Sequence, residues 1–261
     1  MSRPVLETKG LTIRFGGHAA VDNVSCAFHA GTLTAIVGPN GAGKTTYFNL
    51  MSGQLPATAG TVHLEGEDIT RLSTAQRAQR GIGRAFQITN LFPNLTVAEN
   101  VRLAVQAKAR AAASLWSRWD HHVEWIKRAD QYLEDVNLRD KRDFAAAALP
   151  HGDKRKLEVA LMMALEPHVF MFDEPTAGMS VDEVPVVLDL IKRLKAAGDK
   201  TILLVEHKMD VVRSLADRIV VLHNGQLVAD GDPETVIASP IVQEAYLGAA
   251  PVVDSREGAA P

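Results

Sequence analysis

The period of the hydrophobic positions changes twice along this chain of 261 residues, and each change predicts a different kind of element. Leu6 to Ile13, Val24 to Phe28 and Leu33 to Val37 read as short strands with Gly16-Gly17 and Ala30-Gly31 as turns between them, an antiparallel start. Val62 to Leu64 followed by Gly66-Glu67-Asp68 predicts another hairpin, and Ile82 to Phe86 a strand entering the segment around Gln87. From Thr96 to about Leu165 the period becomes helical. There Trp119, Val123, Ile126, Leu133 and Val136 recur at three or four residues, or twice that, as one apolar stripe expected to pack. The mixed charges of Arg139 to Asp143 read as a solvated turn. Strand and helix then alternate: Val169 to Phe172, a helix from Glu183 to Ala197, Thr201 to Val205, and a helix after His207. That is the βαβ rhythm of a parallel sheet. Arg218 to Leu222 and Gln226 to Ala229 flank Asn224-Gly225, a pair suited to a two-residue turn, so an edge hairpin is expected to end the fold. The Ala-, Gly- and Pro-rich segment from 249 onward predicts a disordered tail.

One turn in this pattern carries chemistry. Gly38-Pro39-Asn40-Gly41-Ala42-Gly43-Lys44-Thr45 is a P-loop, lying between the apolar run Leu33 to Val37 and a helix beginning around Thr46. Its exposed backbone N–H groups and the helix N-terminus suit phosphate. Lys44 can reach the β and γ phosphates, and the Thr45 hydroxyl can ligate Mg²⁺. A second candidate follows Val169 to Phe172, where a buried strand ends in Asp173-Glu174. Side chains alternate along a strand, so two adjacent carboxylates should serve separate roles. Asp173 is placed to hold Mg²⁺ and Glu174 to orient or deprotonate an attacking water.

Composition narrows the class without naming it. The 46% hydrophobic and 23% charged fractions are those of a folded domain, and a net charge of -3 gives no basic footprint for nucleic acid. Cys26 is the single cysteine, which rules out an internal disulfide and suggests a small buried hydrophobe. Charge interrupts the first nine residues before an apolar segment of secretory type can form, which predicts a cytosolic chain. The apolar runs, such as Val159 to Leu165, are short of the ~20 residues that span a bilayer. Work at a membrane would need a partner.

With the P-loop and Asp173-Glu174 in place, residues 4 to 248 resemble the ATP-binding cassette (ABC) family. The resemblance implies an α/β fold, a P-loop ABC ATPase core with an antiparallel β subdomain and a helical subdomain inserted at about residues 90 to 165. It implies that ATP and Mg²⁺ are bound and ATP hydrolysed. Gln87 looks like the family's Q-loop glutamine, which contacts Mg²⁺ or the attacking water, and His207 like its switch histidine on the γ-phosphate. Thr46 completes the nucleotide loop. Asp173 to Ser180 continues like the D-loop at the dimer interface, and Phe15 is the candidate to stack on adenine, with core packing as the alternative. The other eight histidines lack ligand spacing. The signature segment departs from the family's Leu-Ser-Gly-Gly-Gln: here it is Leu149-Pro150-His151-Gly152-Asp153, and Pro150 lacks the hydroxyl that would touch the facing subunit's nucleotide. Proline is tolerated at a helix start, so one phosphate contact is expected to be lost and the helix kept.

Further segments narrow the resemblance to importers of branched-chain amino acids: Arg14 to Gly17, Ala20 to Ser25, Thr96 to Val101, Val205 to Met209 and Ala245 to Gly248. Importers of urea and short-chain amides share the pattern, and a soluble ABC ATPase acting on nucleic acid or protein, or a binding-only regulator, are the other readings. The implied partners are two membrane-spanning permease subunits, a second similar ATPase in a heterodimer or a second copy of this chain, and indirectly a periplasmic or extracellular binding protein. The implied location is the cytoplasmic face of the inner membrane.

Overall fold

The computed structural model describes residues 3–85, 91–109 and 123–247. Two sheets share the work. Strands β1 (Leu6–Phe15), β2 (His18–Phe28), β4 (Ala59–Leu64) and β5 (Glu67–Asp68) form an antiparallel sheet in the order β2-β1-β4-β5. The other sheet has β3 (Leu33–Val37), β6 (Ile82–Ala85), β7 (Val169–Asp173), β8 (Thr201–Val205), β9 (Arg218–His223) and β10 (Gln226–Gly231) in the order β10-β9-β3-β8-β7-β6. All its pairings are parallel except β9 with β10. β3 therefore leaves the antiparallel start expected of it and pairs with β8 and β9. Its five residues are all buried, whereas β1 and β2 alternate, and a strand covered on both faces belongs in a parallel sheet.

Alternation across β7 and β8 divides the core. Phe170, Phe172, Ile202 and Leu204 face one apolar cluster, which continues into the helices; Val169, Met171, Leu203 and Val205 face another with Tyr47, Phe48 and Met51 of helix α1 (Lys44–Ser52). Helix α2 (Thr74–Gln79) was not foreseen, although Ser73 and Gln76 make a reciprocal capping box. Between β6 and β7 lie α3 (Val97–Lys108), α4 (Val123–Asp135) and α5 (His151–Ala164). α3 begins with another such box, Thr96 with Glu99. The stripe on α4 packs at its C-terminal end, where Leu133 and Val136 are fully buried, but Val123 at its start is 53% exposed. Trp119 lies outside the described residues.

The solvated turn expected at Arg139 to Asp143 is a short 3-10 segment, Arg139–Lys141, only partly turned to water. Lys141 pairs with Asp153 at 2.5 Å and Arg142 with Asp130 at 2.7 Å, so these charges brace α5 and α4. After β7 come α6 (Val184–Ala196) and α7 (Met209–Leu215). The β9–β10 hairpin turns at Asn224 and Gly225, φ 49° and 78°, the left-handed pair that such a turn requires. It lies at the sheet edge but does not end the fold, because α8 (Pro233–Ala238) and α9 (Pro240–Leu247) follow. Asp232 caps α8 by accepting from the Thr235 N–H at 3.1 Å. The residues expected to form a disordered tail lie outside the described residues.

Candidate nucleotide site

The P-loop joins β3 to α1, and its conformation depends on glycine. Gly43, φ 97°, is the N-cap of α1, and a Cβ there would stand 2.3 Å from the Ala20 carbonyl oxygen. One on Gly38 would stand 2.1 Å from the Leu222 carbonyl oxygen. Any side chain would thus push the loop off β2 or β9. The hairpin turn buttresses the loop from outside: the Gly225 N–H donates to the Ala42 carbonyl at 3.1 Å, and the Asp22 N–H to the Gly225 carbonyl at 2.8 Å.

Inside the loop, Lys44 is 5% exposed and its ammonium donates to the carbonyls of Gly38 at 2.7 Å and Pro39 at 2.9 Å. Burial pulls its pKa below the ordinary lysine value, while Glu174 and Asp173 act the other way. A cavity of about 220 Å³ opens over the loop, lined by Asn40 to Thr46 with Ala20, Glu174 and His207. Phe15 is 54% exposed at the end of β1. It is not among the residues lining that cavity, but stands at the turn leading to Ala20. Gln87 lies outside the described residues.

The two adjacent carboxylates diverge. Asp173, the last residue of β7, is 7% exposed and its Oδ2 accepts from the Arg84 guanidinium at 2.8 Å. Burial raises its pKa, Arg84 opposes this, and Glu174 adds to it. Glu174 takes φ 51°, a left-handed conformation uncommon for a non-glycine residue, with its N–H on the Val205 carbonyl at 2.9 Å. That turn of the backbone carries Glu174 to the cavity, where its Oε1 lies 2.6 Å from Nε2 of His207. Sequence reasoning passed over Arg84, which also donates to Asn49 at 2.7 Å, Ser52 at 2.8 Å and Gln54 at 3.0 Å and lies over the Phe48 ring. The available signal was an arginine in a short strand otherwise built of Ile, Gly and Ala.

The signature segment opens α5, with Pro150 as its N-cap and no side-chain hydrogen bond at that cap. Leu149 is buried in the core. Asp153 is 4% exposed, its carboxylate taken by Lys141 at 2.5 Å and Lys156 at 2.9 Å. His151 reaches the loop after β7: a Cβ on Gly178 would be 3.0 Å from its Nε2. Gly152 sits against Glu183, whose carboxylate would be 1.8 Å from an added Cβ.

A P-loop facing a carboxylate and a histidine at the carboxyl ends of parallel strands defines a nucleotide-hydrolysing class of protein. Comparison with known proteins carries this to the family. The ABC transporter family model matches residues 21–177, and a model of the branched-chain amino acid ATP-binding cassette transporter matches residues 226–251. The chain is 39% identical over 255 residues to the high-affinity branched-chain amino acid transport ATP-binding protein BraF of Pseudomonas aeruginosa, and 38% to LivG of Escherichia coli, each match covering 96% of this chain and 100% of the relative. A solved ABC transporter cassette in its ADP conformation superposes with a TM-score of 0.80 at 30% identity, over 95% of this chain and 100% of that one. The chain belongs to the ABC transporter family, as an ATP-binding protein.

Proposed function

We propose that this chain binds and hydrolyses ATP to drive an ABC importer of branched-chain or related amino acids. The observation that carries the chemistry is the cavity between the P-loop, Glu174 and His207. Backbone N–H groups from Gly41 to Thr46 and the start of α1 hold the phosphates, and Lys44 exchanges its two carbonyl partners for phosphate oxygens. Glu174 orients the attacking water and accepts its proton, and His207 hydrogen-bonds the γ-phosphate. The donor set of Thr45 hydroxyl and Asp173 carboxylate, with Gln87, suits Mg²⁺, a hard cation that takes oxygen ligands and neutralises phosphate charge. Phe15 stacks on adenine.

His151 and Gly152, at the start of α5, meet the nucleotide of a facing ATPase subunit, and Pro150 leaves one contact unmade. ATP closes such a pair because only the closed state makes these contacts. Two permease subunits carry the solute and receive the motion through the helical segment of about residues 90 to 165. No described helix is long and apolar enough to cross a membrane. Amino acids are favoured over urea or amides by the names of the relatives and the match at residues 226–251.

Two substitutions test the chemistry. Lys44→Ala should weaken ATP binding, and Glu174→Gln should keep binding while abolishing phosphate release; normal turnover by Glu174→Gln removes that residue from its role. Purification with the membrane partners, and identification of the ligand of the associated binding protein, tests the cargo.

A further inference from the structure

Glu206, the residue after β8, is a buried carboxylate that the chemistry above does not use. It is 3% exposed, and three neutral donors fill its oxygens. The Thr176 hydroxyl donates to Oε1, and the N–H groups of His207, at 2.7 Å, and Lys208, at 3.4 Å, donate to Oε2. Thr176 is itself 1% exposed. It stands two residues after Glu174, in the loop that runs on through Gly178 to Ser180.

Two loops are thereby tied at two levels. The outer rung is Glu174 with His207, at 2.6 Å, with both side chains about 40% exposed at the cavity. The inner rung is Thr176 with Glu206, shut away from water, and the bond from the Glu174 N–H to the Val205 carbonyl lies beside it. Exposed hydrogen bonds exchange readily with water or ligand, whereas a buried carboxylate that loses a donor pays its desolvation in full. The outer rung can open for a nucleotide while the inner one stays closed.

We propose that Glu206 is a positioning residue for hydrolysis. Through Thr176 it fastens the loop 174–180 to the backbone of His207, so Glu174 and His207 keep their spacing when that loop is displaced by a facing subunit. This rests on the ATPase reading of the site.

The test uses the purified full chain with Glu206→Ala, Thr176→Val, the double variant and Glu206→Gln. Turnover should fall roughly 10- to 150-fold in each of the two single variants that remove the rung, the worth of one hydrogen bond to a charged group, with ATP affinity changed less than about twofold. The double variant should lose no more than the worse single. Glu206→Gln should stay close to the unmodified chain, because its amide can accept from the His207 N–H and donate to the Thr176 oxygen. Multiplying losses in the double variant, or Glu206→Gln as poor as Glu206→Ala, overturns the proposal.

Hydrogen exchange reads the fastening without turnover. Amides at 176–180 and 207–208 should lose protection together in Thr176→Val, which exchanges the donating hydroxyl for a methyl of similar size. Loss confined to one loop overturns the proposal, and a joint loss in a chain without ATPase activity would fault the ATPase reading alone.

Discussion

Replacing Arg84 by methionine should cost this protein more than any surface charge. Arg84 and Asp173 are each 7% exposed and 2.8 Å apart, so solvent does little to screen them. Burial drags the guanidinium pKa down and pushes the carboxyl pKa up, and each partner opposes the other's shift. Methionine fills the space over Phe48 but leaves Asp173 charged, buried and unpaired, and leaves Asn49, Ser52 and Gln54 without their donor. Breaking a buried pair from one side costs about 3–5 kcal/mol, a large part of the ~5–15 kcal/mol that holds a domain folded. With a urea slope near 3 kcal/mol/M, the unfolding midpoint of the nucleotide-free protein should drop by roughly 1–1.7 M. The remedy identifies the cause: Asp173→Asn placed on Arg84→Met removes the stranded charge and should recover much of the loss. A midpoint that moves less than about 0.3 M, the equivalent of a surface pair, or a double variant no more stable than Arg84→Met, would refute the reasoning.

Pro150→Ser supplies both a helix cap and a hydroxyl. Capping should raise stability by about 0.5–2 kcal/mol, seen in thermal melts, and a restored phosphate contact should strengthen ATP-dependent dimerisation by up to roughly 10- to 150-fold. A higher melting temperature with unchanged dimerisation would show that Pro150 is only a cap. For Asp153, burial raises the carboxyl pKa, but Lys141 and Lys156 outweigh it and hold the group below its ordinary 3.8. Its contribution is therefore complete above that value and lost as pH falls through the lower folded one. The urea midpoints of the unmodified chain and Asp153→Asn should stay apart from pH 7 to about 4.5 and converge below 3.8.

Much of this was legible because it is local. The P-loop is one contiguous run, β7 and β8 are apolar runs of the right length, and the Asn224-Gly225 turn needs nothing beyond its own backbone. What escaped depends on who lies beside whom. β3 reads like its neighbours in sequence, but its partners β8 and β9 lie in the last third of the chain. Arg84 meets Asp173, and Glu206 meets Thr176, only after β6, β7 and β8 have aligned. The stripe at Val123 had the right period, yet periodicity does not say where a helix stops being covered. Asp153 fits the signature segment by order, and only tertiary structure brings Lys141 to it.

The setting of β3 bears on how the protein is made. The strand that feeds the nucleotide loop is flanked by Thr201–Val205 and Arg218–His223, and the turn that braces the loop is at Gly225. A chain emerging from the ribosome delivers Gly38 to Thr45 well before the walls that shape this segment, β8 and β9. Pairing across such sequence distances is slow, and until it happens the apolar run Leu33 to Val37 is uncovered. The loop therefore has its full set of supports for ATP only once β8, β9 and the turn at Gly225 are in place.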